Sequence, residues 1–225
     1  VFGHVIPRKG LDEDGIVAEM LKSLDCPALD AIRVCFENRL TGVEGFSEQV
    51  ASWNTIMVHC IPKRRAANEV STWRPISLIS CLAKWYLACL SRLLASHTRP
   101  PTCCLLGFVA GRQPMELTEL CRLLLQRFNE WGLPLYIGRG DVSKAFDELE
   151  HPLLDAALAH RHAPLALRVA TLRELVGITL EIHLQGVVTD PVPLGKGGKQ
   201  GGPDTPGDWN YLLDFALKDV VSDWL

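Results

Sequence analysis

The sequence predicts an α+β fold in which helices pack on an antiparallel sheet, and three observations favour this class. Apolar residues make up 48% and charged residues 22% of the 225-residue chain, which is typical of a globular protein. Apolar side chains recur at helical spacing over residues 28–40 and 80–95. Residues 178–185 instead alternate between apolar and polar side chains, as in a half-buried antiparallel strand.

The N-terminal region predicts two amphipathic helices. The first covers residues 14–24 and begins at Asp14, whose side chain can cap it. The second covers residues 28–40 and is ended by Gly42. Each helix carries an apolar face: Ile16, Met20 and Leu24 in the first, and Leu29, Ile32 and Phe36 in the second.

The next region predicts two strands and two helices. Residues 53–61 alternate loosely and form a strand ending at Pro62, and Arg74 begins a second short strand. In the helix at residues 80–95, Trp85 and Tyr86 have the spacing of core residues, although such rings can also stack on bases. Another helix begins at Pro114, and we expect five of its side chains to face inward: Leu117, Leu120, Cys121, Leu124 and Leu125.

The apolar run at residues 135–137 predicts a short strand that carries Asp141 at its end, and residues 143–149 predict the first turns of a helix. A carboxylate at a strand end suits Mg²⁺, which prefers oxygen ligands and takes one or two protein carboxylates beside waters and phosphates. An Asp just before a helix is also a common N-cap, so both interpretations stay open.

The C-terminal part predicts two helices, a hairpin and a last helix. The glycine-rich loop at residues 195–202 allows the backbone to approach a ligand closely. Thr205 and Pro206 predict a helix start, with a hydroxyl N-cap and a proline at the first position. The preceding helices cover residues 147–160 and 164–175, and the hairpin strands cover residues 178–185 and 187–194.

The distribution of charge and the spacing of the cysteines limit the kinds of function that the chain can have. The net charge of the whole chain is −3, but residues 61–112 contain eight basic residues and a single acid, a local charge of about +7. Such a segment is either a phosphate-binding surface or a solvated basic face. The eight cysteines form no Cys-x-x-Cys pair, so we expect mostly buried thiols in a reducing compartment. No apolar run approaches the ~18 residues of a membrane-spanning helix.

Four short motifs occur in one order along the chain. The first is Ile-Pro-Lys-Arg-Arg at residues 61–65 with Trp-Arg-Pro-Ile-Ser-Leu at 73–78, and the second is Gly-Phe-Val-Ala-Gly-Arg at 107–112. The third is Asp-Val-Ser-Lys-Ala-Phe-Asp at 141–147, and the fourth is Gln-Gly-Gly-Pro-Asp-Thr-Pro at 200–206. In this order they resemble reverse transcriptases, most closely the LINE-type retrotransposon enzymes, which lack long terminal repeats.

The resemblance implies the fingers and part of the palm of a right-hand polymerase. Residues 1–134 would form the N-terminal helices and fingers, and residues 135–225 a partial palm without a thumb. The implied activity is RNA-directed DNA polymerisation, a nucleotidyl transfer that uses two Mg²⁺ ions. Its partners would be an RNA template, a DNA primer and deoxynucleoside triphosphates, inside the cell in the nucleus or cytoplasm.

The resemblance also implies roles for individual residues. Asp141 would be the catalytic acid and the Mg²⁺ ligand. Five residues would bind the nucleotide, with the basic pair on its triphosphate and the aromatic ring against its sugar: Lys63, Arg74, Val142, Phe146 and Gln200. Five others would contact nucleic acid: Arg64, Arg65, Arg99, Arg112 and Gly201.

The sequence departs from the family at three points. Arg139-Gly140 stands before Asp141 where apolar residues are usual, and Gly207-Asp208 replaces Leu-Leu after the fourth motif. No aromatic-x-Asp-Asp motif occurs in the 225 residues, and we expect a piece of a longer chain that is inactive by itself. Three interpretations stay open: a retrotransposon enzyme, a group II intron-type enzyme, and a non-catalytic remnant that at most binds nucleic acid.

Overall fold

The computed structural model describes residues 15–43, 51–62, 73–100, 102, 105–184 and 186–222. Within these ranges the chain forms helices and a mixed sheet, which confirms the predicted α+β class. The helices are α1 (Ala18–Lys22), α2 (Cys26–Thr41), α3 (Cys81–His97), α4 (Pro114–Glu130), α5 (His151–His160), α6 (Leu165–Arg173) and α7 (Thr205–Ser222). The strands are β1 (Thr55–Pro62), β2 (Trp73–Leu78), β3 (Thr179–Leu184), β4 (Val187–Val188) and β5 (Val192–Pro193).

The sheet has the strand order β2-β1-β3-β4, with β5 also paired to β3. β1 and β2 are antiparallel, and β3 is antiparallel to β4 and β5, as predicted. β1 and β3 are parallel, so the expectation of a purely antiparallel sheet is wrong. The long helical connection from α3 to α6 separates these two strands in sequence, and such a crossover can return the chain in the same direction.

Local capping explains where the predicted helices begin and end. The Asp25 carboxylate accepts a hydrogen bond from the Ala28 backbone N–H at 3.0 Å and caps α2, which ends at Gly42 in the left-handed conformation. The Ser80 hydroxyl accepts a hydrogen bond from the Ala83 N–H at 3.2 Å and caps α3. The first helix is shorter than predicted, and Asp14 lies outside the described residues.

One apolar cluster joins the sheet to the helices. Tyr86 is 3% exposed, which confirms that this ring belongs to the core. Its neighbours in the cluster come from three parts of the chain: Ile56, Val58 and Ile178 around the sheet, Leu87, Leu90 and Leu94 from α3, and Leu154 and Leu158 from α5. Each fully buried side chain of this size contributes about 1.5–3 kcal/mol, so burial of the α3 leucines stabilises the packing of the helices on the sheet.

Helix α4 forms as predicted, but the expected burial of its leucines is wrong. Leu117 is 53%, Leu120 51%, Leu124 38% and Leu125 54% exposed, and Cys121 is partly exposed. The apolar spacing shows which face could be buried, but not whether another element covers it. No residue of α4 is buried in the structure.

The strand predicted at residues 135–137 and the helix predicted at 143–149 are wrong. Residues 133–142 have no regular structure, and Tyr136 is 90% exposed. A strand needs a neighbour for its backbone groups, and the glycines at 138 and 140 lower the strand propensity further. Residues 143–148 form turns in which Lys144 has φ of +52°, and the helix starts only at His151.

The described cysteines are free thiols that are less buried than expected. Cys26 is exposed, and the others are partly exposed: Cys35, Cys60, Cys81, Cys89 and Cys121. Burial raises the pKa of the Cys35 and Cys89 thiols, which keeps both protonated near neutral pH. Among the described helices, none is both long and apolar enough to cross a membrane.

Paired leucine truncations test the different burial of α3 and α4. We expect Leu87→Ala to lower the free energy of unfolding by about 2–5 kcal/mol, because Leu87 is 1% exposed and its loss leaves a cavity. Leu120→Ala should change it by about 0.5 kcal/mol or less. Urea denaturation measures both values. A cost for Leu120→Ala close to that for Leu87→Ala would mean that the α4 face is covered in solution.

Candidate functional site

The turn that contains the third motif meets the glycine-rich loop, which leads into the fourth motif, through direct backbone contact. The Gly198 N–H donates a hydrogen bond to the Phe146 carbonyl at 2.8 Å, and the Gly197 N–H donates one to the Leu149 carbonyl at 2.7 Å. Gly197 has φ of +96°, and a Cβ there would lie 3.1 Å from the Asp147 carbonyl oxygen. Only glycine allows this approach without strain, which explains the glycine-rich loop.

Side chains reinforce this contact on two sides. The buried His151 ring donates from Nε2 to the Gly197 carbonyl at 2.9 Å. At the surface, Lys196 Nζ lies 2.6 Å from Glu148 Oε2, and this hydrogen bond lowers the pKa of the Glu148 carboxyl and raises that of the Lys196 ammonium. Because the ion pair is exposed, water screens it, and His151 and the backbone contribute more.

The fourth motif also contacts strand β2, which carries Arg74. The Ser77 N–H donates a hydrogen bond to the Gln200 carbonyl at 3.0 Å. A Cβ on Gly201 would lie 3.2 Å from the Ser77 carbonyl oxygen, so the loop rests directly on the strand. Arg74 is exposed at the start of the same strand. The structure therefore joins the Arg74 strand to the loop of Gln200 and Gly201.

Asp147 connects the two motifs through its side chain. Gln200 Nε2 donates a hydrogen bond to Asp147 Oδ1 at 2.7 Å, and both side chains are half-buried. Asp147 is thus a hydrogen-bond acceptor that ties the turn to the fourth motif.

The second motif lies beside the third motif and helix α7. The rings of Phe108 and Phe146 lie 6.4 Å apart between centroids, and Asn210 Nδ2 on α7 donates to the Gly107 carbonyl at 2.7 Å. Phe146 is half-buried, whereas Phe108 is 70% exposed. One corner of the structure thus holds residues from all four motifs.

The other predicted site residues are exposed or lie outside the described ranges. Asp141 and Val142 are exposed in the irregular segment, so the predicted position of Asp141 at a strand end is wrong. Arg99 is exposed after α3, and Arg112 is exposed before α4, with Nη1 3.7 Å from Glu116 Oε2. Lys63, Arg64 and Arg65 lie outside the described residues.

A buried charge cluster beneath the loop was not predicted. It consists of Arg39, Glu174, Lys199, Asp204 and Asp208. Arg39 donates from Nε and Nη2 to the two Glu174 carboxylate oxygens at 2.7 and 2.8 Å, a bidentate geometry. Lys199 Nζ lies 3.8 Å from Glu174 Oε2, and Lys199 is 4% exposed. Arg39 and Glu174 are far in sequence from the other three residues, so no local spacing indicated the whole cluster.

Asp204 and Asp208 carry the unusual chemistry of this cluster. Burial raises the pKa of Asp208 well above its ordinary value, the Asp204 carboxyl adds to the rise, and Lys199 opposes it. Burial likewise raises the pKa of Asp204. Asp208 stands where the resemblance implies Leu, and its buried Oδ2 has no hydrogen-bond partner among the residues that the structure describes. The departure noted in the sequence therefore places a protonatable acid inside the fold.

The structure places Thr205 differently from the N-cap that the sequence predicted. Helix α7 begins at Thr205 itself, and the Thr205 hydroxyl donates to the Lys199 carbonyl at 2.9 Å. The hydroxyl thus holds the backbone of Lys199, the residue before Gln200, and does not cap the helix. Among the described residues, no three His, Cys, Asp or Glu side chains are grouped so that they could hold a metal ion.

Asp208→Asn tests the buried acid. A folded-state pKa above the unfolded value stabilises the fold at low pH, and this contribution is lost as pH rises through the raised pKa. Relative to the parent chain, Asp208→Asn should therefore stabilise by about 1–2 kcal/mol at pH 8 and by less at pH 4. Thermal and urea unfolding measure the difference. Asp190→Asn, at an exposed carboxyl, is the control. A gain that does not depend on pH would contradict the assignment.

No family model matches the chain. It is 28% identical over 164 residues to a retrovirus-related Pol polyprotein from the type-2 retrotransposable element R2DM of Drosophila melanogaster, covering 72% of this chain. It is 24% identical over 162 residues to that of the type-1 retrotransposable element R2 of Nasonia vitripennis, covering 70% of this chain. The matched region spans 15% of each relative's length. These similarities confirm the resemblance read from the motifs, and the chain is related to the Pol polyproteins of retrotransposable elements.

Proposed function

We propose that this chain is the nucleotide- and nucleic-acid-binding part of an RNA-directed DNA polymerase, with residues 1–134 as fingers and 135–225 as part of the palm. The observation that carries the proposal is the meeting of residues from all four motifs at one corner. The backbone contacts Ser77–Gln200 and Phe146–Gly198 hold these segments together. Motifs kept only by chance would have no reason to converge in space from positions more than a hundred residues apart.

Two basic residues of the first motif would hold the triphosphate of the incoming nucleotide. A guanidinium group matches two phosphate oxygens at once, and an ammonium group adds a mobile point charge. We assign these roles to Arg74 and Lys63. Arg74 is exposed at the start of β2, so its guanidinium group is accessible to a ligand.

Phe146, Val142, Gln200 and Gly201 would shape the remainder of the nucleotide site. Phe146 is held half-buried in a turn whose backbone is fixed by the glycine-rich loop, so its ring can act as a steric wall against the sugar. Val142 is 53% exposed on the approach to that turn. Gly201 would let the nucleic-acid backbone approach the loop closely.

The basic residues between 61 and 112 would bind the phosphate backbones of an RNA template and a DNA primer. Arg99 and Arg112 are exposed, in keeping with this role, and we assign Arg64 and Arg65 to the same surface. Contacts of this kind are electrostatic and independent of sequence.

We assign Asp141 as a ligand of one Mg²⁺ ion that it would share with the nucleotide phosphates. Its exposure suits an ion that keeps most of its waters. The donor set of the described residues does not fit a two-ion centre, because two ions about 4 Å apart need further carboxylates around them.

The second candidate function is nucleic-acid binding without catalysis. The specific observation that favours it is Asp208, a buried acid where the polymerase pattern has an apolar residue. Burying a carboxyl at this position costs free energy, whereas binding by exposed basic residues does not depend on it.

Salt dependence tests the nucleic-acid surface. If about four phosphates are neutralised, log affinity for single-stranded RNA should fall with log salt at a slope of about −3. Replacing Arg64, Arg65 and Arg99 by Ala should flatten this slope, as measured by fluorescence anisotropy. The matched control replaces Arg33, Arg122 and Arg127, three exposed arginines in local ion pairs. Equal slopes for both triple variants would contradict the assignment.

Primer extension tests whether the chain by itself can place both metal ions. We expect the 225-residue chain to extend a DNA primer on an RNA template only at background level, because Asp141 alone cannot place both ions. The comparison is with Asp141→Asn under the same Mg²⁺ concentration. Extension that requires Mg²⁺ and disappears in the variant would contradict this expectation, and would mean that an unassigned acid completes the site.

A further inference from the structure

Gln200 is fixed at two points that lie on different motifs. Its carbonyl accepts the Ser77 N–H from β2 at 3.0 Å, and its side-chain Nε2 donates to Asp147 Oδ1 at 2.7 Å. The first contact sets the position of the backbone. The second sets the direction of the side chain, which would otherwise rotate freely.

The chemistry of the partner decides which end of the amide faces which way. An ionised carboxylate only accepts hydrogen bonds, so the NH₂ group of Gln200 has to face Asp147. The carbonyl oxygen Oε1 then points away from the carboxylate. Rotating the amide by 180° would bring Oε1 against Asp147 Oδ1, where two acceptors repel each other.

Asp147 is itself held firmly enough to act as a reference point. The Asp147 N–H donates a hydrogen bond to the Lys144 carbonyl at 2.8 Å. The carbonyl of the neighbouring Phe146 accepts a hydrogen bond from the Gly198 N–H. The backbone of Gly197 passes so close that a Cβ would lie 3.3 Å from the Asp147 Cα. Phe146 and the Gln200 amide are therefore positioned by the same turn.

We propose that Asp147 is a positioning residue that turns the Gln200 amide so that its carbonyl oxygen, and not its NH₂ group, meets a hydrogen-bond donor of the bound nucleotide. This inference rests on the proposed function. It gives Asp147 a role in nucleotide recognition without contact to the nucleotide. A purely structural brace between the loop and the turn would leave nucleotide affinity unchanged once the fold is intact.

The test uses the 225-residue chain bound to an RNA template with a DNA primer. The dissociation constant for the complementary deoxynucleoside triphosphate is measured by calorimetry with Mg²⁺ present, and that for the primer–template by anisotropy. Asp147→Asn keeps the shape but lets the Gln200 amide adopt both orientations. It should weaken nucleotide binding about 3- to 10-fold, comparable to one hydrogen bond, and change primer–template binding less than about 2-fold.

Two further variants make the result specific. Glu148→Gln removes the neighbouring carboxylate, which pairs with Lys196 and not with Gln200, and should leave nucleotide affinity unchanged. Asp147→Glu keeps an acceptor that can still orient the amide and should recover part of the lost affinity. Equal losses in Asp147→Asn and Glu148→Gln would overturn the inference.

A spectroscopic measurement without nucleotide separates this inference from the proposed function. In ¹⁵N-labelled chain, the side-chain NH₂ resonances of Gln200, assigned by their loss in Gln200→Glu, should shift in Asp147→Asn and stay in place in Glu148→Gln. Unshifted resonances in Asp147→Asn would overturn the positioning role. If these shifts occur but the parent chain binds no nucleotide, the proposed function fails, and the recognition role fails with it. If Asp147→Asn binds the nucleotide as tightly as the parent chain does, only the inference is overturned.

Discussion

The backbone contact between the glycine-rich loop and the turn at residues 143–149 is the constraint on which the site depends. Gly197 and Gly198 donate to carbonyls of that turn at 2.7 and 2.8 Å, and neither distance would survive a bulky side chain at these positions. From this contact follow the placement of Phe146, the hydrogen bond between Asp147 and Gln200, and the link to β2. Two segments about fifty residues apart thus behave as one rigid unit, because backbone hydrogen bonds fix both distance and direction.

The buried charge cluster below the loop serves this contact at an energetic cost. Lys199 precedes Gln200, and its burial against Glu174 holds the inner side of the loop while Gln200 remains half-exposed on the outer side. Arg39 satisfies Glu174 through two hydrogen bonds and also lies 5.0 Å from the Trp53 ring centroid. Buried ion pairs contribute little net stability, but they penalise alternative arrangements strongly. The cluster therefore specifies the position of the loop more than it stabilises the protein.

Sequence reasoning predicted the elements whose signals are local. Asp25 and Ser80 cap α2 and α3, and strict alternation marks β3, so these elements are where the spacing placed them. Sequence reasoning failed where the structure of a segment depends on whether another element packs against it or pairs with it. The leucines of α4 and the run at residues 135–137 have the right periodicity, but no described element covers the first or pairs with the second. In the site, the resemblance assigned residues of three motifs to one nucleotide. Arg39, Glu174 and Asp208 come together only through the fold, which no spacing could reveal.

Helix α4 and the segment at residues 135–137, where the predictions failed, are neighbours in the chain. They separate an exposed part of the proposed site from a packed part. From Leu117 to Val142 the apolar side chains of α4 and the irregular segment are largely exposed, and Asp141 lies within this stretch. Phe146, Asp147 and Gln200 lie on the packed side, where backbone hydrogen bonds join the loop to the turn, and Arg74 is exposed on the adjoining strand β2. In the proposed function, recognition of the nucleotide would therefore be organised before any metal ligand is in place. The proposed ion binding at Asp141 would instead have to fix its own exposed segment, at an entropic cost of about 1–2 kcal/mol for each residue that becomes fixed.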